Sequence, residues 1–260
     1  MDKTSLIGLL IGIIAVGIGM VLKGISISVL INPAAILIII LGTIASVLIA
    51  FPTSDVKKIP KLFGIIFKDK KQEDPVKLIK MFSDWSQIAR REGILVLESK
   101  LEEIEDPFLK NGLMLVIDGK SAEYIRDVLY EEVEAMEERH DSLASIFTQA
   151  GTYAPTLGVL GAVVGLIAAL GNMEDTSALG LAISSAFVAT LLGIFTGYVL
   201  WHPFANKLKR KSKQEARLKM IMIEGILSIL EGEVPNVIEQ KLASYLPTNE
   251  RKKFFEKGRE

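Results

Sequence analysis

The sequence predicts an all-α, polytopic membrane protein with four transmembrane helices in two hairpins and a helical cytoplasmic domain. Three observations predict it. Half of the 260 residues are hydrophobic while 23% are charged, and mean hydropathy is positive at +0.38. A charged share near one quarter is ordinary for a soluble domain, so those values coexist only if oil and charge occupy separate stretches. Thr4–Leu22, Gly24–Ser54, Ser142–Met173 and Thr176–Trp201 hold no Asp, Glu, Lys, Arg or His. Elsewhere apolar residues recur at helical spacing, and no alternating strand pattern of useful length is present.

A helix needs about 20 apolar residues to cross a hydrocarbon core about 30 Å thick. The first span is expected near Leu6–Leu22 and the second near Pro33–Phe51, making 1–51 a transmembrane hairpin. Lys3 followed by an apolar run resembles a secretory signal. The absence of a polar cleavage region and the immediate second apolar stretch predict a retained anchor instead. The turn between them carries Lys23, Asn32 and Pro33.

Residues 52–146 are expected to form a helical cytoplasmic domain. In Lys57–Phe67, Ile59, Leu62, Phe63 and Ile66 share one side with the preceding Val56, and lysines take the other. Such a segment suits either the membrane interface or a solvated charged helix. Asp74-Pro75 reads as an N-cap followed by the first helical residue. Apolar spacing continues in Leu78, Met81, Phe82, Trp85 and Ile88, and again in Tyr124, Ile125, Leu129 and Met136. Breaks are expected at Asp106-Pro107 and Asn111-Gly112. The third and fourth spans, near Phe147–Leu170 and Ser177–Trp201, make 147–201 a second hairpin. Residues 202–260 are expected to be a basic cytoplasmic tail, whose Lys207–Lys219 stretch suits anionic lipid headgroups or plain solvation.

Orientation follows from the basic residues. Of 30 Lys and Arg, 28 lie in 52–146 and 202–260, leaving only Lys3 and Lys23. The positive-inside rule then puts both large polar segments and both termini in the cytoplasm of a multi-pass membrane protein.

Several function classes are excluded or disfavoured. Formal charge is −1 and cysteine is absent, so neither nucleic acid nor thiolate chemistry is indicated. Only His140 and His202 exist to build a histidine metal centre. The run Glu131–His140 is carboxylate-rich, but helical spacing spreads its charges around a solvated face. No phosphate loop, His-Glu-x-x-His or serine elbow is present. No cofactor and no covalent catalysis are expected.

The second hairpin differs in kind from the first. Gly158, Gly161 and Gly165, with Gly193 and Gly197, permit close helix approach. Pro155 inside a span frees a carbonyl that a neighbour or water must satisfy. Thr156, Ser184, Ser185, Thr190 and Thr196 are hydroxyls able to line a hydrated path, although a membrane threonine commonly bonds back to its own helix. No span holds an ionisable residue, which ion and proton paths normally require. The chain is therefore either the wall of a path whose titrating group comes from another subunit, or a passive scaffold.

Three stretches carry a resemblance. They are Ile88-Ala-Arg-Arg-Glu-Gly-Ile-Leu-Val-Leu-Glu98, Tyr153-Ala-Pro-Thr-Leu-Gly-Val-Leu-Gly-Ala-Val-Val-Gly-Leu166, and Ala186-Phe-Val-Ala-Thr-Leu-Leu-Gly-Ile-Phe-Thr-Gly197 with Trp201-His-Pro-Phe-Ala-Asn-Lys-Leu208. Together with the order of two hairpins and a cytoplasmic insert, they resemble the MotA family of flagellar motor stator subunits. The span motifs are shared with the wider ExbB/TolQ superfamily. An ExbB/TolQ-type envelope energiser is the alternative, but its typical three-span plan fits this hairpin order poorly.

The resemblance implies a bacterial inner-membrane ring of five such chains around two copies of MotB, a single-span partner that brings an essential aspartate. It implies ion flow that turns the ring against FliG on the rotor. Arg90 and Glu98 resemble the charged pair presented to the rotor, and a continuous helix is expected to bring them to one face. Pro155 and Pro203 resemble the prolines that shape the partner interface and couple ion movement to conformational change. Thr190 resembles the threonine facing the partner's aspartate. Sodium-driven relatives carry threonine where this chain has Ala162, so the missing oxygen ligand predicts proton coupling.

Overall fold

A computed structural model describes residues 3–68, 73–171 and 176–257, and the described residues contain helices and turns but no strand. Helix α1 is Lys3–Leu22 and α2 is Pro33–Ala50, joined through a short turn of 3₁₀ helix at Ile27–Leu30. Gly24, at φ +74°, makes the reversal after α1 that a side chain would strain. Asn32 caps α2 by accepting from the Ala35 N–H at 3.1 Å, with Pro33 in the first turn.

Then come α3 (Thr53–Val56), α4 (Ile59–Phe67), α5 (Pro75–Glu92), α6 (Pro107–Ile117) and α7 (Ala122–Leu170). After them α8 (Thr176–Phe195) passes through a π-helical turn at Thr196–Trp201 into α9 (His202–Leu230), followed by α10 (Pro235–Ala243) and α11 (Thr248–Lys257). Among the described residues, four helical runs are long and apolar enough to cross a membrane: α1, α2, α7, and the run from Thr176 to Leu230. The expected four-span, all-helical plan is the one found.

The chain forms two compact units, 1–70 with 140–210 and 71–139 with 211–260. The first contains the membrane helices. Its buried core gathers Val47, Leu62, Ile66, Phe147, Ala150 and Ala205. Phe63 meets Phe147 edge-on at 5.2 Å and Phe204 at 6.0 Å, a favoured arrangement for aromatic pairs. The apolar side of α4 is thus covered by protein rather than by solvent or lipid alone. By contrast Leu22, Ile49, Ile167, Leu181 and Phe187 stand exposed on the spans, as side chains facing hydrocarbon can.

The second unit packs α5, α6, α10, the start of α7 and the end of α9 around Phe82, Leu113, Leu129, Ile223, Ile226 and Leu242. Each such burial contributes roughly 1.5–3 kcal/mol. Asp74 caps α5 through the Val76 N–H at 3.0 Å. Asp106 caps α6, accepting from the Phe108 and Leu109 N–H groups at 2.8 and 3.1 Å. The break at Asp106-Pro107 is therefore real. The one expected at Asn111-Gly112 is not, because both residues lie inside α6. Gly112 serves packing instead of turning: a Cβ there would overlap Ile226 and lie 3.1 Å from the Leu129 Cδ1.

Residues 211–257, which look like a tail from charge alone, supply Ile221, Met222, Ile223, Ile226 and Leu227 to this core. Part of the basic stretch is also engaged. Lys209 pairs with Asp141 at 2.8 Å, Lys219 sits 4.1 Å from the centre of the Phe108 ring, and Arg217 donates to the Tyr245 carbonyl.

Candidate functional site

In the membrane unit α7 and α8 touch along a seam without side chains. A Cβ added to Gly158 would lie 2.8 Å from the Ala189 carbonyl oxygen, and one added to Gly193 would lie 2.7 Å from that of Ala154. Further along, a Cβ on Gly197 would come within 2.7 Å of the Pro155 Cγ, and one on Gly151 within 2.8 Å of the His202 ring. Each helix thus supplies a row of Gly and Ala that fits the other's backbone, the small-residue packing that membrane helices favour.

Pro155 sits inside α7 and has no N–H, so the Gly151 carbonyl loses its helical partner. That carbonyl faces Gly197: a Cβ there would be 2.8 Å from it. The neighbouring backbone therefore packs beside the freed oxygen with no room for a side chain between them. The π-helical turn begins one residue earlier, at Thr196, and the His202 N–H donates to the Gly197 carbonyl five residues back. Pro203 follows this turn at once and is exposed. Such turns recur at functional sites.

The threonines show where their protons go. Thr156 donates to the Thr152 carbonyl at 3.1 Å and Thr190 to that of Ala186 at 3.2 Å. Thr152 does the same to Thr148 at 3.1 Å, and Thr196 to Leu192 at 2.8 Å. With the proton so committed, each oxygen still has lone pairs to offer. The hydroxyls are acceptors, suited to a proton-bearing group or a cation supplied from elsewhere. Thr156 is exposed, while Ala162 and Thr190 are half-buried. Thr190 follows Ala189, which meets both Gly158 and Gly161 of α7, so Thr156, Ala162 and Thr190 attend one helix pair. One polar contact has no counterpart in the sequence reading: Asn32, besides capping α2, donates to the Ser185 hydroxyl. Asn32 looks like a turn residue until α8 is beside it.

Arg90 and Glu98 lie in the other unit, both exposed. They do not share a helix. α5 ends at Glu92, Gly93 takes φ +92° and ψ 159°, and Glu98 belongs to a separate 3₁₀ turn, Ile94–Lys100. The expectation of one continuous helical face is corrected by that glycine, whose backbone conformation is essentially reserved for it. Arg90 instead donates through Nη1 to the Gly232 carbonyl at 2.6 Å. Ser86 donates to the adjacent Glu233 carbonyl at 2.7 Å. Nearby, Lys241 reaches Glu224 at 3.3 Å, Glu233 at 3.7 Å and the buried Ser228 hydroxyl at 3.2 Å. Tyr130 donates to Glu224 at 3.4 Å, and burial followed by the Glu224 charge pushes its phenol above the ordinary tyrosine value. These partners converge from α5, α7, α9 and α10, so no local motif announces them.

The chemistry available is narrow. The spans offer hydroxyl and carbonyl acceptors but no Asp, Glu, Lys, Arg or His, so the helix pair can border a proton path without relaying protons by itself.

Comparison with known proteins places these features. Residues 100–220 match the model of the MotA/TolQ/ExbB proton channel family, and residues 6–93 match that of the motility protein A N-terminal region. Motility protein A of Bacillus subtilis (strain 168) is 67% identical over 99% of this chain and 96% of its own length. Chemotaxis protein PomA of Vibrio alginolyticus is 35% identical over 98% of this chain and 99% of its own. Among solved structures, the flagellar MotAB stator complex from Bacillus subtilis matches with a TM-score of 0.91 at 67% identity, covering 97% of this chain and 99% of that one. C. jejuni MotAB matches at 0.90 and 32% identity, covering 95% and 97%.

Proposed function

The chain belongs to the MotA/TolQ/ExbB proton channel family, on its motility protein A branch, and from that premise we infer that it is a stator subunit of the bacterial flagellar motor. With a MotB partner it forms a proton-conducting complex that converts ion flow into torque. The observation that carries the mechanism is a tightly packed α7–α8 pair, with acceptor oxygens along it, in spans without one Asp, Glu, Lys, Arg or His. Such a wall needs a carboxyl from its companion.

On this reading Thr156 and Thr190 present acceptor oxygens to the partner's protonated aspartate, and Ala162 withholds the extra oxygen a sodium ion would use. Pro155 and Pro203 flank the π-helical turn, where an unpaired carbonyl and a loosened hydrogen-bond ladder let α8 change shape as the aspartate gains and loses charge. Arg90 and Glu98 steer the cytoplasmic unit onto FliG, since exposed charges set register and encounter rate more than affinity. Several copies of the chain, five by resemblance, surround two of the partner. The termini and both large polar segments lie in the cytoplasm, where most of the basic residues are, and the basic stretch of α9 lies near anionic lipid.

Reconstitution tests the reading. Vesicles holding the chain together with a single-span partner bearing a membrane aspartate should pass protons, and vesicles holding the chain alone should not. A gradient that collapses through the chain alone overturns it. Motility that stops on sodium removal, with the proton gradient intact, overturns the ion assignment.

A further inference from the structure

An apolar groove of about 480 Å³ in the membrane unit serves none of the roles above. Ile14, Gly17 and Val21 of α1 form one wall, Leu191 and Phe195 of α8 form the other side, and Leu30 of the turn following α1 adds to the lining. We propose that it binds one acyl chain of an anionic phospholipid whose headgroup phosphate is held by Lys23.

Length argues for a lipid chain. The lining on α1 runs from Ile13 to Leu22, which at 1.5 Å per residue is about 14 Å, or about half of a hydrocarbon core about 30 Å thick. That is the depth of a single leaflet. The groove lining on α1 also stops where α1 meets α8's π-helical turn. At its deep end α1 touches the π-helical turn, where a Cβ on Gly12 would lie 2.7 Å from the Val199 Cγ1. A spanning helix from a second copy, needing about 20 residues of depth, is stopped halfway, whereas an acyl chain entering from the rim is not.

Charge argues for the headgroup. Lys23 directly follows the lining residues Val21 and Leu22, is exposed, and is the single cation of the 23–32 turn, which contains no Asp or Glu. The Ser26 and Ser28 hydroxyls, 2.8 Å apart, are further polar groups on the same turn. A basic residue at a membrane surface favours an anionic lipid by about fivefold.

The test uses the full chain purified in its stator complex, with native mass spectrometry after exchange into palmitoyl-oleoyl phosphatidylglycerol or phosphatidylcholine at matched concentrations. The wild type should retain the glycerol lipid about fivefold more than the choline lipid. Lys23→Gln should erase that preference. Gly17→Phe should displace both lipids, since Gly17 lines the groove and a Cβ there meets nothing within 4 Å, leaving room for the ring to occupy it. Equal retention of both lipids by the wild type, or a preference unchanged in Lys23→Gln, overturns the proposal. So does disulfide cross-linking between copies through Gly17→Cys, possible because the chain has no cysteine of its own, since it would make a second copy the occupant. Should Gly17→Phe fail to fold, the other two variants still decide.

Discussion

Gly158 and Gly193 meet backbone to backbone: a Cβ on Gly158 would lie 3.0 Å from the Gly193 Cα, and one on Gly193 2.9 Å from the Gly158 Cα. Neither contact ends on a flexible side chain, so a methyl group on either glycine must push the two helices apart.

Gly158→Ala and Gly193→Ala are therefore expected to destabilise the helix pair by about 1–3 kcal/mol each. Gly165→Ala is the control, because a Cβ there meets the Ala186 Cβ at an ordinary 3.9 Å. Thermal unfolding in detergent measures the difference. Equal midpoints for all three variants would mean that the seam does not hold α7 to α8.

Gly93 tests a different physical cause. It has open space around it, but its φ of +92° is strained for any side chain. Gly93→Ala should cost about 1–3 kcal/mol with no clash to relieve. It should also weaken swimming, because Gly93 separates Arg90 from Glu98. Unfolding midpoints and swarm diameter read the two effects separately.

Arg90 is hydrogen-bonded to the Gly232 carbonyl, so Arg90→Ala loses structure as well as charge, by about 1 kcal/mol. Reversal of charge addresses the rotor role. Arg90→Glu and Glu98→Lys should reduce torque while leaving the amount of protein in the membrane unchanged. If bead rotation is normal in both variants, these residues do not form the rotor face.

In the second unit burial, then the nearby carboxylates of Asp106 and Glu105, raise the Glu73 carboxyl above the ordinary glutamate value. The folded protein thus holds this proton at pH values where the unfolded chain has released it. Its contribution to stability is complete below the ordinary value and is lost as pH rises through the raised one. Glu73→Gln should match the wild type at acidic pH and be more stable near neutrality. Thermal midpoints between pH 4 and 7, measured on both proteins, check the sign; parallel profiles would refute it.

The four spans, the cap at Asp74, the break at Asp106-Pro107, and the absence of Asp, Glu, Lys, Arg and His from the spans were all legible in the sequence. Hydropathy over 20 residues, capping chemistry and the absence of a charge are local properties that do not depend on what packs where. The glycines were half legible. Gly158 and Gly193 advertise close approach by their spacing, but Gly112 looks like a turn until Ile226 fills the space a side chain would take.

Tertiary structure alone decided the rest. It turned residues 211–257 from an apparent tail into part of a helical core, because Ile221–Leu227 find partners on α5 and α6 from far earlier in the chain. It placed Arg90 against Gly232 and Asn32 against Ser185, contacts that join residues 142 and 153 positions apart. It also interrupted the expected helix between Arg90 and Glu98 at a backbone angle only glycine accepts. A sequence states which faces are oily and which ends are capped; which faces meet is settled by three-dimensional packing among distant segments.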